Sequence, residues 1–139
     1  MGEGGARGDG ATILHYQNGV WEKDQLSECQ TFTQIDMIDE TTGWILCQQI
    51  TGQPTVLYYN NHTWQPFEEY PAGYPPTALQ MLTAQEGWFI SWNGILHYQN
   101  GNWQIFDNPT RRRMDALVMV SDNEGWAVGG FGILHYTNK

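Results

Sequence analysis

His15, His97 and His135 each stand third in an Ile-Leu-His-Tyr tetrapeptide, which begins at Ile13, Ile95 and Ile133. One histidine per copy invites a metal reading, because imidazole nitrogens are common zinc ligands. Zinc, however, needs its ligands about 2 Å from one centre. Equivalent positions in successive repeats fan apart, so these histidines are expected to be structural, with no metal and no cofactor. His62 stands where the other copies carry a hairpin glycine and is expected to be a turn residue. Cys29 and Cys47 show neither a CxxC nor a Cys/His zinc spacing. They occupy different positions of the repeat, so two free thiols are expected, with a disulfide as the alternative.

Catalytic constellations are missing from the sequence. A sialidase-like glycosidase needs several arginines around a substrate carboxylate, a tyrosine nucleophile and an acid. Here the arginines are Arg7 and the adjacent Arg111, Arg112 and Arg113. No Gly-x-Ser-x-Gly, His-Glu-x-x-His or P-loop motif occurs. Glu68 and Glu69 are neighbours in a polar stretch, which suits solvation better than acid–base work. The chain is therefore read as a non-enzyme.

A net charge of −9 argues against a nucleic-acid partner, since phosphate binding needs a basic surface. The arginine run beside Asn108-Pro109 reads as a solvated loop or as an anchor for an acidic partner. No apolar stretch approaches the roughly 18 residues of a membrane span, and the first residues lack the basic and apolar regions of a secretory signal. The compartment is left open. Seven Trp and seven Tyr, with 14% aromatics overall, suit sheets with large interlocking side chains.

The elements that carry these residues repeat. Ile13-Leu-His-Tyr16 leads to Gln-Asn-Gly19 and Trp21, and Ile95-Leu-His-Tyr98 leads to Gln-Asn-Gly101 and Trp103. A diverged copy runs Val56-Leu-Tyr-Tyr59, Asn60-Asn61 and Trp64, and Ile133-Leu-His-Tyr136 begins the pattern again. Gly43-Trp44, Gly87-Trp88 and Gly125-Trp126 precede the later copies. The four tyrosines are 43, 39 and 38 residues apart. A period near 40 is that of one four-stranded β-propeller blade.

Each unit resolves into an inner strand A (34–38, 78–82 or 116–120), a Gly-bearing turn, strand B (44–48, 88–92 or 126–129), strand C on the tetrapeptide, a tight Asn-Gly hairpin, and strand D from Trp21, Trp64 or Trp103. Residues 3–8 read as a degenerate strand B, with Gly5 in the tryptophan's place. The expected fold is all-β: one region over 1–139 with a partial blade at 3–26, blades at 34–67 and 78–106, and a partial blade at 116–136. About three to three and a half blades cannot close a ring alone, as propellers hold roughly four to eight. The chain is thus expected to be a partial propeller or to complete a ring as a homo-oligomer. The repeat-equivalent tryptophans are expected to pack between blades.

The pattern Gly-Trp-Ala-Val-Gly…Ile-Leu-His-Tyr…Gly-x-Trp resembles the repeats of photosystem II stability/assembly factor-like propellers, within the wider BNR/sialidase-like repeat group. The likeness spans nearly the whole chain and is most explicit at Glu124–Tyr136 and Ile95–Trp103. It implies a toroid that docks proteins. The related Asp-box is only echoed in Asn100-Gly101-Asn102-Trp103, which lacks the aspartate.

In a four-stranded blade the A–B and C–D turns share one face of the disc, and the D–A and B–C loops share the other. Here the first set is uniform. The second varies: D–A segments at 23–33, 68–77 and 107–115, and B–C loops at 49–55, 92–94 and 129–132. Variable loops on a rigid scaffold are where binding usually sits. This face is expected to present Tyr70, Tyr74, Trp92, Arg111, Arg112, Arg113 and Phe131, residue types favoured as interface anchors. Trp92 aligns with Gly130, so no repeat-wide packing role accounts for it. The leading expectation is a module that docks a protein partner. The alternatives are a lectin-like module stacking a carbohydrate on Trp92 or Tyr74, and an architectural or designed fragment without a ligand.

Overall fold

The computed structural model describes residues 11–130 and 132–138. Four antiparallel sheets follow one another along the chain, and none closes on itself. The first holds β1 (Ala11–Gln17) and β2 (Val20–Leu26). The second holds β3 (Cys29–Met37), β4 (Gly43–Gln49), β5 (Pro54–Asn60) and β6 (Thr63–Pro66). The third holds β7 (Pro76–Thr83), β8 (Glu86–Ser91), β9 (Gly94–Gln99) and β10 (Asn102–Phe106). The fourth holds β11 (Ala116–Ser121), β12 (Glu124–Gly129) and β13 (Gly132–Thr137). In each, strands adjacent in sequence pair as neighbours, so every sheet is a simple meander.

Local chemistry fixes the hairpins. Asn18-Gly19 and Asn100-Gly101 both have positive φ, at 53° and 83° and at 51° and 83°, as a two-residue type I′ turn requires. In the second sheet Asn61 and His62 take the same turn at 53° and 66°, so His62 is a turn residue in a place that favours glycine. The turn pairs each tyrosine with the tryptophan five residues on: Tyr16 with Trp21, Tyr59 with Trp64, Tyr98 with Trp103.

The glycine of each Gly-Trp pair has a different cause. Met37, Met81 and Met119 lie on the inner strands, six residues before Gly43, Gly87 and Gly125. A Cβ on any of these glycines would stand 2.0–2.1 Å from the methionine sulfur. The missing side chain is the space into which the methionine packs.

The alternation of side chains along the strands builds the core between sheets. On β4, Ile45 and Cys47 pack with Ile13 and Leu26 of the first sheet. The intervening Trp44 and Leu46 pack with Leu79, Phe89 and Leu96 of the third. On β8, Phe89 faces back to the second sheet, while Ile90 joins Ala127 and Leu134 of the fourth. The inner strands β3, β7 and β11 lie side by side. Side chains tie them together: the Gln34 amide donates to the Leu79 carbonyl and accepts from the Leu79 N–H. Asp36 accepts from the Met81 N–H, and Gln80 from the Met119 N–H.

Several expectations need correction. Cys29 and Cys47 are not free thiols but form a disulfide, with Cα atoms 5.7 Å apart. The segment 23–33 is not a loop: β2 runs to Leu26, β3 begins at Cys29, and two residues join them. Strand A thus starts five residues earlier than its apolar run at 34–38, which brings Cys29 beside strand B. The packing role of the tryptophans holds for Trp44 and Trp88, both buried, whereas Trp126 and Trp21 are exposed. The strand expected at 3–8 lies outside the described residues.

Candidate binding face

Trp92 and Asn93 form the two-residue turn between β8 and β9. The Trp92 side chain is 48% exposed, unlike the core tryptophans. It forms a wall shared by two concavities. On one side is a groove of about 400 Å³ lined by Pro54, Tyr70, Pro71, Tyr74, Pro75 and Trp92, among others. On the other is a depression of about 430 Å³ lined by Trp92, Arg111, Arg112, Arg113, Asp115 and Gly130. The D–A and B–C connections therefore meet around one indole, and six of the seven candidate residues gather there. The seventh, Phe131, lies outside the described residues.

Three polar residues fix this arrangement. Buried Ser91 donates from Oγ to Asn93 Oδ1 at 2.7 Å, and Asn93 Nδ2 donates to the Gly73 carbonyl at 3.0 Å. The Trp92 turn is thereby joined to the proline-rich loop. Asn108, fully buried, donates from Nδ2 to the carbonyls of Ser91 and Arg112 at 3.1 and 3.2 Å. Its Oδ1 accepts from the Thr110 N–H and hydroxyl at 3.0 and 2.8 Å, and its carbonyl accepts from the Arg111 N–H. One buried amide thus shapes the whole arginine loop and anchors it to β8. Ser91, Asn93 and Asn108 were not among the expected site residues. Asn93-Gly94 and Asn108-Pro109 are readable as turn dipeptides, but their long-range partners are not.

The candidate residues differ in what they offer. The Tyr70 ring packs on Phe89 and Trp103, with centroids 5.1 and 5.4 Å away, and its hydroxyl donates to the Tyr74 carbonyl at 2.7 Å. Burial pushes its phenol well above the usual tyrosine range, so it remains a neutral donor. Tyr70 forms the floor of the groove. The Tyr74 ring covers Gly94, where a Cβ would come within 2.9 Å of it. Arg111 lies 3.9 Å from Asp107, and Arg113 donates to Asp115 at 2.7 Å. These pairs are solvent-exposed and hold weakly, so both guanidiniums are available to a stronger carboxylate partner.

The histidines take no part in this face. His97 stacks on Trp88 at 4.1 Å and pairs with Glu86 at 2.9 Å. His135 does the same with Trp126 and Glu124, at 3.9 and 2.8 Å. Each is held within its own sheet.

No family model matches the chain, and no curated protein matches it in sequence. Among the described residues, no helix is long and apolar enough to cross a membrane.

Proposed function

We propose that the chain is a non-catalytic, propeller-type module that docks a protein partner on the face around Trp92. The carrying observation is that exposed indole, held between an aromatic–proline groove and an arginine depression by the hydrogen bonds of Asn93 and buried Asn108. Extended peptide is the chemistry that suits it. Proline and tyrosine walls take apolar side chains at little entropic cost, and the arginines take carboxylates bidentately. The partner is therefore an extended segment that carries an apolar stretch beside acidic residues. The meander order of the sheets and the repeat's likeness to photosystem II stability/assembly factor-like propellers support the same reading.

A carbohydrate would also stack on an exposed indole. Sugar binding needs, beside the ring, polar groups with hydrogen bonds to spare. Asn93, next to Trp92 in the turn, accepts from Ser91 and donates to Gly73. The arginine depression on the other side of the indole suits carboxylates, and that favours peptide over sugar.

The test is a fluorescence-anisotropy screen of labelled peptides that combine apolar and acidic segments, run beside a glycan array. Binding is expected for a subset of peptides, falling at least tenfold in Trp92→Ala and in the Arg111→Ala/Arg112→Ala/Arg113→Ala variant. Peptides that bind both variants as tightly as the parent would place the site elsewhere. Saturable sugar binding lost with Trp92 would establish the lectin reading instead.

A further inference from the structure

Within the chain each sheet presents two different faces, and every internal contact joins one kind to the other. The forward face carries the first tryptophan of the repeat. Trp44 meets the third sheet through the cluster with Leu79, Phe89 and Leu96, and Trp88 meets Tyr136 of the fourth at 4.6 Å. The backward face carries the leucine and tyrosine of the tetrapeptide. Leu57 and Leu96 are covered by the preceding sheet, at 1% and 0% exposure.

Among the described residues, each kind of face is left without its counterpart at one end of the array. The fourth sheet exposes the forward set: Trp126, Val128 and Ile133, at 42%, 43% and 67%. They align with the buried or half-buried Trp88, Ile90 and Ile95. The first sheet exposes the backward set: Leu14, Tyr16 and Trp21, at 62%, 57% and 65%. They align with Leu96, Tyr98 and Trp103.

We propose that the chain associates head to tail with a second copy of itself, the forward face of one copy's fourth sheet covering the backward face of the other's first sheet. Trp126 then meets the second copy's Tyr16 as Trp88 meets Tyr136. The inner-strand ties support this pairing. In the internal contacts the residue before the inner-strand methionine, Asp36 or Gln80, accepts an N–H from the next inner strand. The fourth sheet has Val118 in that place, 53% exposed and with no acceptor. The first sheet holds only β1 and β2 among the described residues, neither of them an inner strand. Among the described residues, the apolar Val118 thus meets no inner-strand N–H of the first sheet. The contact is heterologous, so repeating it leads to a closed ring or an open filament according to the rotation per step.

Light scattering after size exclusion tests it on the whole chain. The parent is expected to show a mass of two chains or more. A forward-blocked variant, Val128→Lys/Ile133→Lys, and a backward-blocked variant, Leu14→Lys/Tyr16→Lys, are each expected to be monomeric. Mixed, they are expected to form a one-to-one pair and nothing larger, because one intact forward face meets one intact backward face. That complementation also shows that both variants fold. A monomeric parent overturns the proposal, as does a mixture that stays monomeric while both variants keep the parent's circular dichroism. Oligomers that survive in either variant alone overturn the head-to-tail arrangement.

Discussion

Two residues show how single side chains set the stability of this fold. His62 holds φ at 66° in a hairpin whose counterparts use glycine. A non-glycine residue there carries a steric cost that glycine does not. His62→Gly is expected to stabilise the protein by about 0.5–1 kcal/mol, read as a higher urea midpoint with an unchanged slope. Asp36 shows an electrostatic cost. Burial raises its carboxyl above the ordinary 3.8, and the Met81 N–H offsets only part of that rise. The native state therefore holds this proton more tightly than the unfolded chain. The stability linked to it is present below pH 3.8 and is lost as pH rises through the native value. Asn at this position is neutral throughout and still accepts the Met81 N–H. Asp36→Asn is expected to gain on the parent as pH rises from about 3.5 to about 7, measured by urea unfolding at each pH. A difference that stays flat across that range would show that the carboxylate ionises freely in the native state.

At the scale of the element, the disulfide anchors the first strand of the second sheet. It joins β3 to β4 across a sequence separation of 18, on the face packed against the first sheet. Reduction or Cys47→Ala is expected to destabilise the chain by about 3 kcal/mol, seen as an earlier urea transition with reductant present. Equal midpoints with and without reductant would mean the cross-link adds nothing. The same strand marks the limit of what the sequence discloses. Strand C, its hairpin and the Gly-Trp start of strand B repeat nearly letter for letter and lie where the repeat puts them. The start of β3 does not repeat: register shifts between Cys29 and Thr31 and between Phe32 and Gln34 break its alternation. With Cys29 and Phe32 three apart among polar residues, no period of two signals a strand. The methionine six residues before each Gly-Trp was legible in principle and links the inner strand to strand B. On the candidate binding face, Trp92 stood out because it breaks the repeat. Ser91, Asn93 and Asn108 did not, because their partners become neighbours only once the sheets pack.

At the scale of the whole molecule, the sheets form a linear array, and cohesion depends on how many neighbours each sheet has. β4 and β8 are each buried on both faces, between sheets on either side. Among the described residues, β1 and β2 have a neighbour on one face only, and β2 is exposed along almost its whole length. Each large apolar side chain fully covered stabilises by about 1.5–3 kcal/mol, so an interior sheet is held by roughly twice the contact of a terminal one. In stacked arrays that difference appears as graded local opening rather than as one all-or-none barrier. Amide hydrogen exchange is expected to be slowest in β4 and β8, intermediate in β12 and fastest in β1 and β2. Head-to-tail association adds a second dependence. As protein concentration rises, protection is expected to grow in β1, β2, β12 and β13 while that of β4 and β8 stays constant. Equal protection in all four sheets at low concentration would instead mean that the first and fourth sheets open only with the rest, as parts of one cooperative unit.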